Sequence, residues 1–260
     1  MDIRMVFLDI DGTLVHDRRL VPSAHRVVRG LQNNGIEVAL CTGRSVLHGR
    51  KVQAELGVRH CVYFNGALTY SKGHIIQSFP LSATVVQRMI SFTKRYKLPL
   101  ILHTTESAVT FESIPGQFRP LLDAYDFPPI QVIEETEWSC DSQSVFQSNV
   151  LLTPDWDDRV RAKFPECLLY RWDFHAIDLQ KGSCDKSVGA QILLSHLGIR
   201  PDQAIHIGDG GNDIPLFQQV GISVAMGNAA PDVQKQASFV TTTVEEDGVL
   251  RACQSLGLLK

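Results

Sequence analysis

Four aspartates stand just past two apolar runs. Asp9-Ile10-Asp11-Gly12-Thr13 follows Met5-Val6-Phe7-Leu8, and Gly208-Asp209-Gly210-Gly211-Asn212-Asp213 follows Ala204-Ile205-His206-Ile207. Short apolar runs bounded by turn residues read as buried strands. In an open parallel sheet such strand ends line the ligand crevice. Carboxylates gathered there repel one another unless a cation joins them. Asp9, Asp11, Asp209 and Asp213 therefore point to a magnesium-assisted phosphate site, with Mg2+ as the expected cofactor.

The residue types suit phosphate chemistry. A carboxylate such as Asp9 can attack phosphorus and form an acyl phosphate. Asp11, two residues on, can protonate the leaving alkoxide and later accept a proton from water. Gly12 lets the backbone curl so that nearby amides face phosphate oxygens, while Thr13 braces the turn. Thr42-Gly43-Arg44 follows a further strand-like run, Val38–Cys41. Thr42 can donate its hydroxyl to a phosphoryl oxygen, and Gly43 permits close backbone approach; a helix cap is an equal reading of the same residues. Arg44 serves equally as a substrate contact or a surface ion pair. For the positive charge opposite the transferring group the expected residue is Lys181, in Lys181-Gly182. Its competitor Lys186 falls a turn inside an expected helix. Asp209 and Asp213 are spaced to face one ion where a loop becomes a helix, and Asn212 can donate to phosphate or cap that helix.

The elements that must position these residues alternate. Strand patterns at Ile3–Leu8, Ile36–Leu40 and Cys61–Phe64 are separated by helix patterns at Pro22–Asn33 and Val46–Leu56, the signature of βαβ units and a parallel sheet. A hairpin follows around Ser71-Lys72-Gly73. From Pro80 to about Asp178 short strands are interspersed with helices at about Ala83–Tyr96, Gln117–Ala124 and Asp157–Phe164, as in an α+β module. The alternation resumes with a helix at about Cys184–Leu197, strands Ala204–Ile207 and Ile222–Ala225, and a last helix from about Asp247, which caps it. The expected fold class is α/β: a Rossmann-like parallel-sheet core, residues 1–80 and 181–260, interrupted by an inserted α+β cap, residues 81–180.

Composition narrows the function classes. The 260 residues carry a formal net charge of -3, with 44% hydrophobic and 20% charged residues. No basic excess announces a nucleic-acid partner, and no apolar run approaches the roughly 18 residues of a membrane helix. The opening apolar residues lead at once into Asp9, which argues against a signal peptide. Six scattered cysteines (Cys41, Cys61, Cys140, Cys167, Cys184, Cys253) without a CxxC pair favour reduced thiols and a cytoplasmic location. Cys41, beside Thr42, reads as a small buried hydrophobe.

The ordered motifs resemble those of the haloacid dehalogenase-like (HAD) hydrolase superfamily, most closely the Cof-type phosphatases with a large type IIB α/β cap. The resemblance implies Asp9 as nucleophile, Asp11 as acid/base, Thr42 as phosphoryl holder and Lys181 as the third-motif lysine. It implies a magnesium site built from the Asp9 carboxylate, the Asp11 backbone carbonyl and Asp209, with Asp213 a ligand or close support. Asn65-Gly66-Ala67, Ala225-Met226-Gly227-Asn228-Ala229 and Asp247-Gly248-Val249 extend it over the core. In this family the cap sits over the site and selects the leaving group. Candidate substrate contacts are Thr42, Gly43, Arg44, Asn65, Lys181 and Asn212, with His103, Arg171 and His175 from the cap, although packing or solvent exposure is the commoner role for such histidines. Trp138, Trp156 and Trp172 read as packing residues, and Met226 as core filler. The implied activity is magnesium-dependent hydrolysis of a small phosphorylated metabolite, a sugar phosphate or phosphorylated cofactor, by a monomer or weak homo-oligomer. Alternatives are a phosphosugar mutase and a non-catalytic metabolite-binding protein.

Overall fold

A computed structural model describes residues 2–139 and 143–260, so Cys140 lies outside the described residues. The chain divides into two compact units. Met1–Gly43, Gly49–Ser78 and Asp185–Lys260 form the first, and Arg44–His48 with Phe79–Cys184 form the second. Arg44 and Lys181, expected in the core, thus fall with the second unit.

The first unit is built on an eight-stranded sheet. Its order is Phe239–Val240, Ile222–Ala225, Ala204–Gly208, Met5–Leu8, Glu37–Cys41, His60–Tyr63, Leu68–Ser71 and His74–Ser78. The first six strands run parallel, and the last two form the expected antiparallel hairpin. Met5–Leu8 is fully buried, as a strand covered on both faces must be, which explains its unbroken apolar run. From this central strand the chain builds outward one way to Glu37–Cys41 and returns on the other side at Ala204–Gly208. That reversal is a topological switch point, where loops part and leave a crevice at the carboxyl strand ends. Asp9 and Asp209 both follow strands at this point.

Helix Lys186–Leu197 covers one sheet face, packing Ala190, Leu193 and Leu194 against Met5, Phe7, Ala39, Cys41 and Val62. Its start differs from the expected Cys184. Asp185 is the N-cap, its carboxylate accepting from the amides of Ser187 and Val188 at 2.8 and 3.3 Å, which leaves Lys186 as the first helical residue. The first helix likewise begins at Ala24 rather than Pro22. Asp247 occupies the N-cap position of the last helix, Gly248–Ser255, but in a left-handed conformation (φ 59°) with no side-chain capping bond.

The second unit carries a six-stranded sheet in the order Ile130–Val132, Ala108–Thr110, Leu100–His103, Gln147–Leu151, Ala176–Lys181 and Cys167–Asp173. Its longest helix, Ala83–Tyr96, starts at a Ser82 cap and buries Val85, Val86, Met89 and Ile90 in an apolar core with Leu100, Leu102, Val150, Ile177 and Leu179. Strand Ala176–Lys181 carries Asp178, Gln180 and Lys181, a polar content that hid it from the apolar pattern. Among the described residues no helix is long and apolar enough to cross a membrane.

Candidate active site

Three carboxylates converge at the switch point. Oxygens of Asp9, Asp209 and Asp213 lie within 4.8 Å of one another. Asp9 is 5% exposed and Asp213 fully buried. Asp11, expected as a fourth member, is exposed and outside this side-chain cluster.

The cation beside them is Lys186. Its Nζ donates to Asp9 Oδ1 at 2.8 Å and to Asp213 Oδ1 at 2.6 Å from a fully buried position. Side chains on a helix lean towards its N-terminus. A lysine in the first helical position therefore reaches past the helix end to the strand termini. Lys181, the residue expected to supply this charge, instead ends a strand of the second unit with its ammonium 5.3 Å from the Phe79 ring. The sequence reading placed the helix start two residues early, which put Lys186 inside a helix that it in fact begins.

Asp213 organises the rest. Its Oδ2 accepts from the amides of Asp209 and Gly210 at 3.0 and 2.9 Å, and its Oδ1 lies 2.7 Å from His206 Nε2. His206 is fully buried on strand Ala204–Gly208, with Nδ1 3.3 Å from the Phe7 carbonyl. Its role was missed in the sequence because it sat inside an apolar run and read as a strand residue. The usable signal was a polar side chain in the otherwise apolar run Ala204-Ile205-His206-Ile207, directly ahead of the Gly208-Asp209 loop. Thr13 Oγ1 donates to Asp209 Oδ1 at 3.5 Å, the bracing expected of it. Asn228 spans three loops: Nδ2 donates to the Gly12 carbonyl at 2.9 Å and Asp209 Oδ2 at 3.3 Å, and Oδ1 accepts from the Val244 amide at 2.9 Å. Gly12 is required twice over, by a φ of +68° and because a Cβ there would lie 2.1 Å from Asp209 Oδ2.

Thr42 and Asn65 are tied through their backbones. The Thr42 amide donates to the Val62 carbonyl and the Asn65 amide to the Thr42 carbonyl, each at 2.9 Å. Asn65 is buried with φ 48°, and its side-chain oxygen accepts from Asn212 Nδ2 at 2.8 Å, so the second and fourth motifs are joined directly. Gly43 packs on that Asn65 amide, where a Cβ would approach to 3.0 Å. Arg44 is 9% exposed in the second unit's short segment. Of the cap candidates, Arg171 is engaged by its own unit, pairing with Asp157 and donating to the carbonyls of Leu152, Asp173 and Phe174. His175 faces Asp173 at 3.8 Å.

The electrostatics follow from burial. Desolvation pushes the Asp9 carboxyl well above its usual range despite Lys186, and lifts Asp209 to about 7, aided by repulsion from Asp213. Burial also opposes ionisation of Asp213, but Lys186 and His206 outweigh it and hold its pKa below the ordinary carboxylate range. Lys186 stays protonated: burial disfavours its charge, and Asp213 and Asp9 more than restore it. Three carboxylates thus face one ammonium. Closely set oxygen donors with excess negative charge suit a hard divalent cation. Cys41 is fully buried and its thiol is pushed up by desolvation, the state of a packing residue rather than a nucleophile.

An open α/β core interrupted by an inserted α+β unit, with a carboxylate cluster at its switch point, is an arrangement consistent with phosphoryl-transfer chemistry. The chain belongs to the haloacid dehalogenase-like hydrolases, whose family profile matches residues 6–253. It is 29% identical over 261 residues to a putative phosphatase, YkrA, of Bacillus subtilis, covering 100% of both chains. It is 27% identical over 265 residues to the 5-amino-6-(5-phospho-D-ribitylamino)uracil phosphatase YitU of the same organism, with 95% of each covered. Among solved structures, a hypothetical protein from Geobacillus kaustophilus superposes with a TM-score of 0.90 at 27% identity, covering 99% of this chain and 100% of that one. A HAD subclass IIB sugar phosphatase gives 0.88 at 24% identity, covering 98% and 100%, and shares the fold with its IIB-type cap.

Proposed function

We propose that the protein hydrolyses small phosphate monoesters, sugar phosphates or phosphorylated cofactors, with magnesium through an aspartyl-phosphate intermediate. The observation that carries this reading is the Asp9 carboxylate held by Lys186 at 2.8 Å within an all-oxygen cluster, in a chain of this family.

Asp9 attacks phosphorus, forming one O–P bond as the bond to the leaving oxygen breaks. Lys186 keeps the Asp9 carboxylate in a fixed orientation and neutralises part of the charge gathered there. Asp11, exposed to solvent, donates its proton to the departing alkoxide. It then takes a proton from the water that cleaves the acyl phosphate, releasing inorganic phosphate and restoring Asp9. Thr42, Gly43, Asn65 and Asn212 frame the phosphoryl group, with Arg44 as a further substrate contact. Asp9, Asp209 and the Asp11 backbone carbonyl would hold Mg2+, with Asp213 as ligand or support; the ion supplies charge neutralisation at the phosphoryl oxygens.

The test is phosphate release from a panel of monoesters with magnesium. Turnover is expected to vanish in excess EDTA and to fall at least about 1,000-fold in the Asp9→Asn protein. Undiminished turnover in either case refutes the reading.

A further inference from the structure

The second unit holds a cavity of about 280 Å³ lined by its own residues alone. The cavity opens where three elements end: helix Ala83–Tyr96 and the neighbouring strands Ala108–Thr110 and Ile130–Val132. These two strands pair in parallel, whereas the other pairs of this sheet are antiparallel among the described residues. Both carboxyl ends therefore reach the same rim, one through Glu112 and the other through Glu134 and Glu135.

The floor is apolar. Ile90 of the helix, Leu98 and Leu100 of the chain leaving it, and Phe111 beyond the first strand line the space. All four belong to the unit's apolar core or pack on it, and Trp138 backs Phe111 edge-on at 6.1 Å. At about 30 Å³ per water, the space equals roughly nine waters, the bulk of a small molecule.

The rim is charged and unbalanced. Two ammoniums, Lys94 and Lys97, face three carboxylates, Glu112, Glu134 and Glu135. Glu135 is engaged by Lys94 at 2.9 Å. That bond holds the Lys94 pKa above its ordinary value, and Glu112 adds to the pull. Helix Ala83–Tyr96 brings the negative end of its dipole to the same place, since Lys94 lies in its last turn and Lys97 is its C-cap. An anion would meet a rim of its own sign. The glutamates do not form a chelate either. Among the described residues, the acidic side chains close enough to share an ion are those of Asp9, Asp209 and Asp213, so a bare divalent cation finds no oxygen cage here.

We infer that this cavity binds a small amphipathic amine, with its apolar body on Ile90, Leu98, Leu100 and Phe111 and its ammonium on the carboxylates of Glu112 and Glu134. An ammonium carries three donors, enough to serve both carboxylates, while its carbon skeleton leaves water for the floor. The site lies wholly within the second unit and is independent of the phosphatase reading.

Calorimetry on the full chain at saturating Mg2+ tests it. Phenethylamine is the probe, with 2-phenylethanol and 3-phenylpropionate as its neutral and anionic counterparts. The amine is expected to bind with a Kd of about 1 mM or tighter. The alcohol should bind about five-fold more weakly, the effect of losing two solvent-accessible ion pairs, and the carboxylate more weakly still. The Glu112→Gln/Glu134→Gln protein alters two exposed side chains and spares the floor. It should lose about five-fold in affinity for the amine and keep the parent's affinity for the alcohol. Equal affinity of the parent for amine and alcohol, or amine binding that the double substitution leaves unchanged, overturns the inference. So does an amine that fails to bind at about 10 mM. None of these readouts requires phosphate release, so the phosphatase reading stands or falls separately.

Discussion

Two lysines five residues apart in sequence have separate fates here, and the difference is a matter of where one helix begins. Lys186 is fully buried with two carboxylates on its ammonium, whereas Lys181 lies along an aromatic ring in the second unit. Removing a charge from a buried network exposes its partners to one another, at a cost of about 3–5 kcal/mol. The Lys186→Met protein is expected to lose at least about 100-fold in phosphate release, since it removes a fixed charge from beside the nucleophile. Its melting temperature should fall as well. Lys181→Met should stay within about three-fold of the parent, because its half-buried ammonium lies on the Phe79 ring and Met keeps much of that packing. A catalytic collapse in Lys181→Met with an active Lys186→Met protein would reverse the assignment.

At the scale of elements, the depth of helix Lys186–Leu197 decides whether that ammonium arrives. Gly66 and Gly189 let the helix approach the strand ends. A Cβ on Gly66 would lie 1.9 Å from the Asp185 carbonyl oxygen, and one on Gly189 would lie 2.5 Å from Val62 Cγ1 and 3.0 Å from Thr69 Oγ1. Gly189→Ala forces the helix away from the sheet, and overpacking of this kind costs about 1–3 kcal/mol. The expected result is a lower midpoint in urea together with a larger loss of kcat than of substrate affinity, because Lys186 moves with the helix. A variant destabilised as predicted but with unchanged kcat would show that helix depth and the reacting group are uncoupled.

For the whole molecule, the switch point of the first unit gathers charge that folding alone opposes. Burial raises Asp9 and Asp209 above their usual carboxylate range, so ionising them costs stability in the metal-free protein. Sign follows from linkage: the native state binds more protons than the unfolded one above pH 4, and stability falls as pH rises towards 7. A divalent ion bound only by the folded state reverses this, adding about 2.7 kcal/mol at a concentration one hundred times its Kd. Melting at pH 7.5 is expected to shift upward with added Mg2+ in the parent and hardly at all in Asp209→Asn. An equal shift in both proteins would place the ion elsewhere.

The sequence by itself determined the central strands of the first unit's sheet, because short buried parallel strands must be apolar throughout and must end where turn residues begin. It thereby fixed which loops meet, and Asp9, Asp209, Asp213, Thr42, Asn65 and Asn212 all belong to strand-end loops named in advance. Tertiary structure decided which charges complete the cluster. Whether Lys186 or Lys181 faces Asp9 turns on one N-cap, Asp185, and on glycine contacts between residues far apart in the chain. His206 looked like an ordinary strand residue until Asp213 folded back onto it. The bonds joining His103, Asn149, Gln147 and Asp178 in the second unit were hidden for the same reason: these residues lie on separate strands that only cross-strand register brings together.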